Sequence, residues 1–552
     1  MNRNIERQKL TTARAIVECI KRERVRHVFC VPGESYLPVL DAFYDESSIE
    51  LISARHESGA GFMAEGYAKA SFTPGVVFAT RGVGASNLAI AIHTAYQDST
   101  PMVVFLGQVS SKFRGREGFQ EVDLDQYLQP ISKWAVELRD PERTPELVQR
   151  AFRIAKSGRP GPVVISLPED VLPEEAVMQF APVTPVPRPA PSNKEINRVK
   201  ELLLYVKKPL IIAGGGVKSA HAEDVLVSFA EKWGIPVMAA FRRQDVFPND
   251  HPLYVGHLGL GTPKEILQTV READTILAIG TRLSEVTTQD YSIITADKKL
   301  IHMDISYETI GKVFAPDVGI VADIREALAL LNRNTSPKSG WQKWVEDKRK
   351  AFELVSDLKV SDNDSIHKHV ISILEEKLSN DSLLTNDAGN FAGWLHRYYP
   401  FRKKHTYIGP TSGAMGYGMP AALGAKLALP KKQVVSLSGD GGFIMTAQDL
   451  ETAVRYNIPV ICLVFNNSMY GTIRMHQEIH FPKKVIGTDL GSVSFKDLAG
   501  SMGVDAFQVA TSDAFKKALD DALKRKGPVV IEILTDKEQI SVSSTISQIR
   551  KR

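Results

Sequence analysis

The feature that most constrains this chain is a recurring short run of nearly continuous, mostly β-branched apolar residues. Four such runs fall at 25–31, 75–80, 102–107 and 162–167, four at 209–213, 235–239, 275–280 and 300–304, and four at 382–386, 433–438, 459–465 and 528–534. A strand that is apolar along its whole length needs cover on both faces, and the amphipathic stretches between the runs supply it. The pattern predicts α/β structure: three doubly wound domains, each built on a parallel sheet. Residues 181–191 carry five prolines, Pro182, Pro185, Pro187, Pro189 and Pro191, which favours an extended linker because proline cannot continue a helix. A second polar stretch spans 332–340, with Pro337, and resumes at 361–364. These linkers divide the chain into 1–180, 193–333 and 364–552. What repeats is architecture, with no short-period sequence repeat.

Composition excludes several classes. With 43% hydrophobic and 24% charged residues the chain is not disordered or low in complexity. Lys plus Arg total 68 against 64 Asp plus Glu, a formal charge of +4. So small a surplus over 552 residues does not announce a nucleic-acid or membrane partner. Cys19, Cys30 and Cys462 are too few and too far apart for a disulfide framework or a Cys-based zinc site, and Cys30 and Cys462 sit in apolar runs as buried thiols. No apolar stretch approaches the ~20 residues of a membrane span. The first 26 residues mix both charge signs and lack a secretory apolar core; their basic start leaves a transit peptide as the alternative, but Ala15, Ile16, Val17 and Ile20 read as the core face of a first helix, which favours a structural role. The expectation is a soluble, cytoplasmic protein.

The chemistry concentrates at Gly439-Asp440-Gly441-Gly442, followed after residues 442–465 by Asn466-Asn467. Each segment ends a predicted strand, so Asp440 and Asn467 arrive at one sheet edge, where open α/β sheets bind ligands. The glycines let the backbone approach a phosphate, and a helix expected from about Thr446 points its N-terminus there. One carboxylate, one amide oxygen and a nearby backbone carbonyl form a hard oxygen set. That set suits Mg²⁺, which completes its octahedron with diphosphate oxygens and water.

This pair resembles the signature of the thiamine-diphosphate-dependent enzymes, and the whole chain resembles their acetolactate (acetohydroxyacid) synthase large-subunit branch. The resemblance is carried by Val28-Phe29 to Pro38, Arg55-His56-Glu57 to Gly66-Tyr67-Ala68, Gly107-Gln108-Val109, Phe119-Gln120-Glu121 and Gly413 to Pro420. It implies a pyrimidine-binding domain, a central Rossmann-like domain and a diphosphate-binding domain, in that order. It implies catalytic roles for Glu57, Gln120, Gly413 and Met415. Glu57 would exchange a proton with the cofactor's pyrimidine ring, Met415 would wedge between its two rings, and the Gly413 carbonyl would meet its amine. Cofactor contacts are implied for Pro32, Glu57, Gly84, Asn87, Ala388, Gly389, Asn390, Phe391, Gly413, Met415, Gly439, Asp440, Gly441, Gly442, Asn467, Met469, Tyr470 and Gly471, and Mg²⁺ ligation for Asp440, Asn467 and Met469. At 390–391 the family usually carries Gln-His, where this chain has Asn-Phe.

The implied reaction is carboligation after decarboxylation of a small 2-oxo acid. The alternatives are a non-oxidative decarboxylase, an aldehyde lyase or ligase, and, remotely, a non-catalytic scaffold. A homodimer or homotetramer with active sites at the dimer interface is implied, and a regulatory subunit is left open. FAD is an even choice: Arg159, Gly214, Gly215, Arg282, Asp304 and Asp323 resemble a flavin site in the middle domain, yet several relatives keep the domain without flavin. Three departures bear on substrate. Glu34 stands where the synthases have a second Gly, Val286 where they have Arg, and His476 where a Trp favours 2-oxobutyrate. Arg81 also replaces a small residue of a Gly-rich turn, where it either touches substrate or faces solvent. A carboxylate at Glu34, with no compensating charge at Val286, predicts preference for an uncharged acceptor or simple protonation; the alternatives are a Glu34 kept protonated by burial as a proton donor, and a Glu34 turned away into solvent or a salt bridge.

Overall fold

The computed structural model describes residues 6–333 and 340–551; Pro337 and the first five residues lie outside them. Three six-stranded parallel sheets form the framework. In the first, the strands lie in the order Glu50–Ser53, His27–Cys30, Gly75–Thr80, Met102–Gln108, Pro162–Pro168, Trp134–Glu137. In the third the order is Tyr407–Ile408, Leu383–Asn386, Val434–Gly439, Ile461–Asn466, Val529–Leu534, Asp505–Val509. Counted along the chain, both read 2-1-3-4-6-5, so one fold is used twice. The middle sheet, Tyr254–His257, Val237–Ala239, Pro209–Ala213, Thr275–Ile279, Lys299–Asp304, Val318–Val321, reads 3-2-1-4-5-6, the dinucleotide-binding order. The twelve apolar runs of the sequence are the four inner strands of each sheet. The edge strands carry weaker patterns: Val318–Val321 alternates buried and exposed, and Asp505–Val509 buries one residue fully.

The middle domain has its own core, around Trp233, Phe229 and Leu277. A second core runs continuously from Phe29, Phe62 and Met63 in the first domain to Tyr417, Leu423 and Val464 in the third. Helices Glu57–Ser71 and Gly418–Ala428 make the join. Glycines at the contact let the backbones touch. A Cβ on Gly66 would sit 2.3 Å from the Ala421 carbonyl oxygen, and one on Gly424 1.9 Å from that of Met63. A polar seam flanks the contact. Lys69 Nζ lies 2.8 Å from Glu65 Oε1 and 2.6 Å from Asp98 Oδ2, and Thr411 N–H donates to Asp98 Oδ1 at 2.9 Å. Burial works to raise the Asp98 pKa, but Lys69 and Arg243 outweigh it and hold the carboxyl well below its usual range.

One helix start differs from the sequence expectation. Helical backbone begins at Asp440 itself, in Asp440–Phe443, and resumes at Asp449–Arg455. The Gly441-Gly442 pair allows an immediate tight turn after the strand, so the helix does not wait for Thr446. Among the described residues no helix is long and apolar enough to cross a membrane.

Candidate active site

Glu57 is the first residue of its helix, four positions after the strand Glu50–Ser53 ends. His56 caps the helix, its ring nitrogen accepting Ser58 N–H at 3.2 Å. Glu57 is 8% exposed, and Asn87 Nδ2 donates to its Oε2 at 2.9 Å. Gly84 leaves room beside it: a Cβ there would stand 3.2 Å from Glu57 Oε1. Asn87 and Gly84 both come from helix Arg81–Asp98. The structure thus gathers Glu57, Gly84 and Asn87, three of the residues singled out from sequence. Pro32 follows Val31, whose carbonyl accepts the Tyr36 hydroxyl. Gln120 stands on the loop over this edge with φ of +64°, its carbonyl accepting Gly82 N–H at 3.1 Å.

In the third domain, Asp440 is 6% exposed at the carboxyl end of Val434–Gly439. Burial pushes its carboxyl up to about 6, against the pull of backbone N–H groups including those of Gly441, Ser468 and Met469. The neighbouring strand Ile461–Asn466 delivers the other half of the loop. Ser468 takes φ of +53°, folding the loop so that Met469 N–H donates to Asn467 Oδ1 at 3.2 Å. Tyr470 packs its ring where a Cβ on Gly441 would fall, 2.7 Å away, and Gly471 N–H donates to the Met469 carbonyl at 2.9 Å. Among the described residues no group of three His, Cys, Asp or Glu side chains is placed around a metal. The donor set here holds one carboxylate, an amide and a carbonyl. Gly413 has φ of +72° and open space at its Cβ position, and Met415 beside it is half-buried.

Asp387 was not legible from sequence, and it organises this half. It is fully buried, and burial raises its carboxyl to about 6 despite three backbone donors. Those donors are Ala388 N–H at 2.8 Å, Gly416 N–H at 3.0 Å and Tyr417 N–H at 3.4 Å. A Cβ on Gly442 would lie 2.7 Å from its Oδ2. One carboxylate therefore bonds the backbone at 388 and at 416–417 and packs closely against Gly442. Gly439 caps the short helix that starts at Asp440. Gly389 has φ of +150°, with the Phe391 ring 2.7 Å from where its Cβ would be. Phe391 itself is a core residue stacked on Phe465 at 5.5 Å, which leaves its backbone for any ligand contact. The Asn390 amide donates to the Ile540 carbonyl at 2.8 Å and accepts from Thr472 at 2.9 Å, pinning the C-terminal segment.

The expectation that Glu34 is uncompensated is overturned. Arg81 Nη1 lies 3.1 Å from Glu34 Oε1, so two departures from the family pattern form one ion pair. Val286 sits in the short helix Glu285–Thr288, and His476 is exposed on helix Gly471–His480.

In the middle domain, Gly214 and Gly216 pack against Gly280, while the Arg243 guanidinium lies 2.9 Å from where a Gly215 Cβ would be. Arg159 bonds Ser99 at 2.8 Å, Arg282 bonds Gln97 at 3.2 Å, and Arg243 pairs with Asp98 at 3.2 Å. Asp304 closes this cluster, raised to about 6 by burial. Asp323 stands apart, spending its carboxylate on the N–H groups of Arg325 and Glu326 as a helix cap.

Three doubly wound domains in this order, with a buried carboxylate opening a helix of the first and an Asp-and-Asn loop edging the third, define the thiamine diphosphate enzymes. Three family profiles agree: the N-terminal TPP binding domain over residues 10–127, the central domain of thiamine pyrophosphate enzymes over 196–331, and the C-terminal TPP binding domain over 387–533. The chain is 34% identical over 544 residues to a probable acetolactate synthase large subunit of Methanocaldococcus jannaschii, covering 95% of this chain and 92% of that one. It is 32% identical to the acetolactate synthase large subunit of Corynebacterium glutamicum, covering 98% and 90%, and 32% identical to acetolactate synthase isozyme 1 large subunit of Escherichia coli, covering 97% and 95%. The chain belongs to this enzyme family, on its acetolactate synthase large-subunit-like branch.

Proposed function

We propose that this chain binds thiamine diphosphate with Mg²⁺ and ligates 2-oxo acids after decarboxylation, as an acetolactate synthase-like carboligase. The observation that carries the reading is the loop around Asp440: a carboxylate sunk at a sheet edge, with the Asn467 amide and the Met469 carbonyl on the turn that faces it. These hard oxygen donors fit Mg²⁺, which takes few protein ligands and shares diphosphate oxygens. Asp440, Asn467 and Met469 would hold the ion. Asp387 keeps the surrounding turns in register. Glu57, bonded by Asn87, would hold or give up a proton at the cofactor's pyrimidine, and Gly413, Met415 and Gln120 would line the reacting end. When bound, thiamine diphosphate supplies the carbon that stabilises carbanion character after CO₂ leaves. With pyruvate, two pyruvate anions and one proton then give acetolactate and CO₂.

The two half-sites lie in the first and third domains, and we read the working unit as at least a dimer. Glu57 finds its hydrogen-bond donor within its own domain. Apolar side chains stand exposed around both halves, Val83, Ile90, Phe119 and Val122 by the first, Ile444 and Met445 by the third. A second copy would cover them. Arg159 of the first domain and Arg243 and Arg282 of the middle domain, grouped around Asp98 and Asp304 with Arg243 against Gly215, fit the diphosphate of a dinucleotide, which supports FAD; flavin absorbance of the purified protein tests that.

The experiment is calorimetric titration of thiamine diphosphate with and without Mg²⁺, followed by product analysis from pyruvate. Mg²⁺-dependent binding, weakened in Asp440→Ala, and formation of acetolactate are expected. Acetaldehyde as sole product would make the chain a decarboxylase, and absence of cofactor binding would overturn the reading.

A further inference from the structure

Arg81 opens helix Arg81–Asp98 with φ of +34°, a left-handed backbone that a residue with a Cβ keeps only when its surroundings impose it. Its guanidinium joins three turns at the carboxyl edge of the first sheet. Nη1 reaches Glu34 Oε1 at 3.1 Å and the Phe119 carbonyl at 3.4 Å, and Nη2 reaches Glu169 Oε2 at 2.8 Å. Nε is buried without a hydrogen-bond partner. Glu169 is itself anchored, its Oε1 accepting Ser110 N–H at 3.2 Å.

The two acids differ in burial. The Arg81 side chain is 8% exposed, that of Glu169 31% and that of Glu34 68%. An ion pair with so exposed an acid adds little, because water solvates the free carboxylate nearly as well. Glu169, the less exposed acid, and the Phe119 carbonyl stay on the buried guanidinium when Glu34 leaves. Glu34 is therefore the exchangeable member. It can swing into solvent cheaply and free Nη1 for another carboxylate. The location suits a substrate anion: Gly84, one helical turn along, lies against Glu57, and Gly82 N–H holds the Gln120 carbonyl at 3.1 Å.

We propose that Arg81 is a specificity-determining residue that receives the carboxylate of the acceptor 2-oxo acid, with Glu34 as its resting counter-ion. The inference rests on the carboligase reading above. It reverses the selectivity expected from Glu34 alone, because the acceptor carboxylate meets a cation and Glu34 competes for it.

The test gives the holoprotein pyruvate as donor, with pyruvate and acetaldehyde competing as acceptors, and reads acetolactate against acetoin. Arg81→Gln lowers that ratio roughly ten- to a hundred-fold, the range for losing a charged hydrogen-bond partner, through the KM for acceptor pyruvate. Arg81→Lys restores part of it. Glu34→Gln, a change at an exposed side chain, raises the ratio severalfold, and the gain vanishes in the Glu34→Gln/Arg81→Gln double variant. An unmoved ratio in either single variant overturns the proposal. So does a Glu34→Gln gain that survives in the double variant, since that is plain repulsion. Parent protein that makes acetoin but no acetolactate overturns this inference and keeps the cofactor chemistry; parent protein inert toward 2-oxo acids overturns the carboligase reading as well.

Discussion

At the scale of single residues, Glu57 carries the sharpest expectation. It is buried, held by Asn87 and given space by Gly84. Glu57→Gln keeps the size and the Asn87 contact but cannot release a proton. Turnover should fall roughly 100- to 10,000-fold, the usual worth of a positioned acid or base, with cofactor affinity and melting temperature as controls. A loss of less than tenfold would remove Glu57 from proton transfer. Asp440 and Asn467 stand out in the sequence because each follows a predicted strand in a Gly-Asp-Gly-Gly or Asn-Asn frame, and Glu57 through the family resemblance, opening a helix after a strand. Asp387 does not. In Asn386-Asp387-Ala388-Gly389 it reads as an ordinary turn residue, and its value comes from carbonyl-end turns that the chain supplies much later. Sequence allows a salt bridge for Glu34 but does not name Arg81 as its partner, because it gives signs without distances.

At the scale of elements, the helix pair Glu57–Ser71 and Gly418–Ala428 depends on glycine for contact rather than for backbone freedom. Gly424→Ala would drive a methyl group into the Met63 carbonyl oxygen. The helices must separate, at a cost of about 1–3 kcal/mol; chemical denaturation should show it, and an unchanged midpoint would mean the two helices slide freely. The C-terminal segment offers a pH test. Glu478 is bonded by Arg550 and Arg474, and the Arg550 bond leads in lowering its pKa from 4.5 to about 2. A depressed carboxyl pKa stabilises the fold above the unfolded value and loses that contribution as pH falls toward the folded one. Between about pH 4.5 and 2, the segment around Ile540, Ile546 and Ile549 should loosen from Met469 and helix Gly471–His480. Hydrogen exchange across 539–551 would report it first there; uniform loss of protection would contradict it. The inner strands were legible because burial on both faces demands continuous apolar runs. Edge strands such as Trp134–Glu137 bury less and leave no such run.

At the scale of the whole molecule, the proposed dimer would let Glu57 of one copy and Asp440 of the other serve one site. Glu57→Gln and Asp440→Ala are each expected to be nearly inactive alone. Unfolded and refolded together at equal amounts, half of the dimers are mixed, and each mixed dimer holds one intact site. Recovered activity should approach about a quarter of the parent's. If each chain housed a complete site, mixing two inactive chains would recover nothing.

The sequence by itself determined the class of fold, the inner strands of three sheets, and the polar residues that stand at their carboxyl ends. It could do so because burial on both faces writes itself locally as an apolar run, and a ligand edge as a glycine-flanked polar residue after it. Only the tertiary structure decided that the first and third sheets share a strand order and a core, that Asp387 bonds the backbone at 388 and at 416–417, and that Glu34 rests on Arg81. Those facts depend on contacts between segments far apart in the chain, and such contacts are set by packing, which no single stretch of sequence contains.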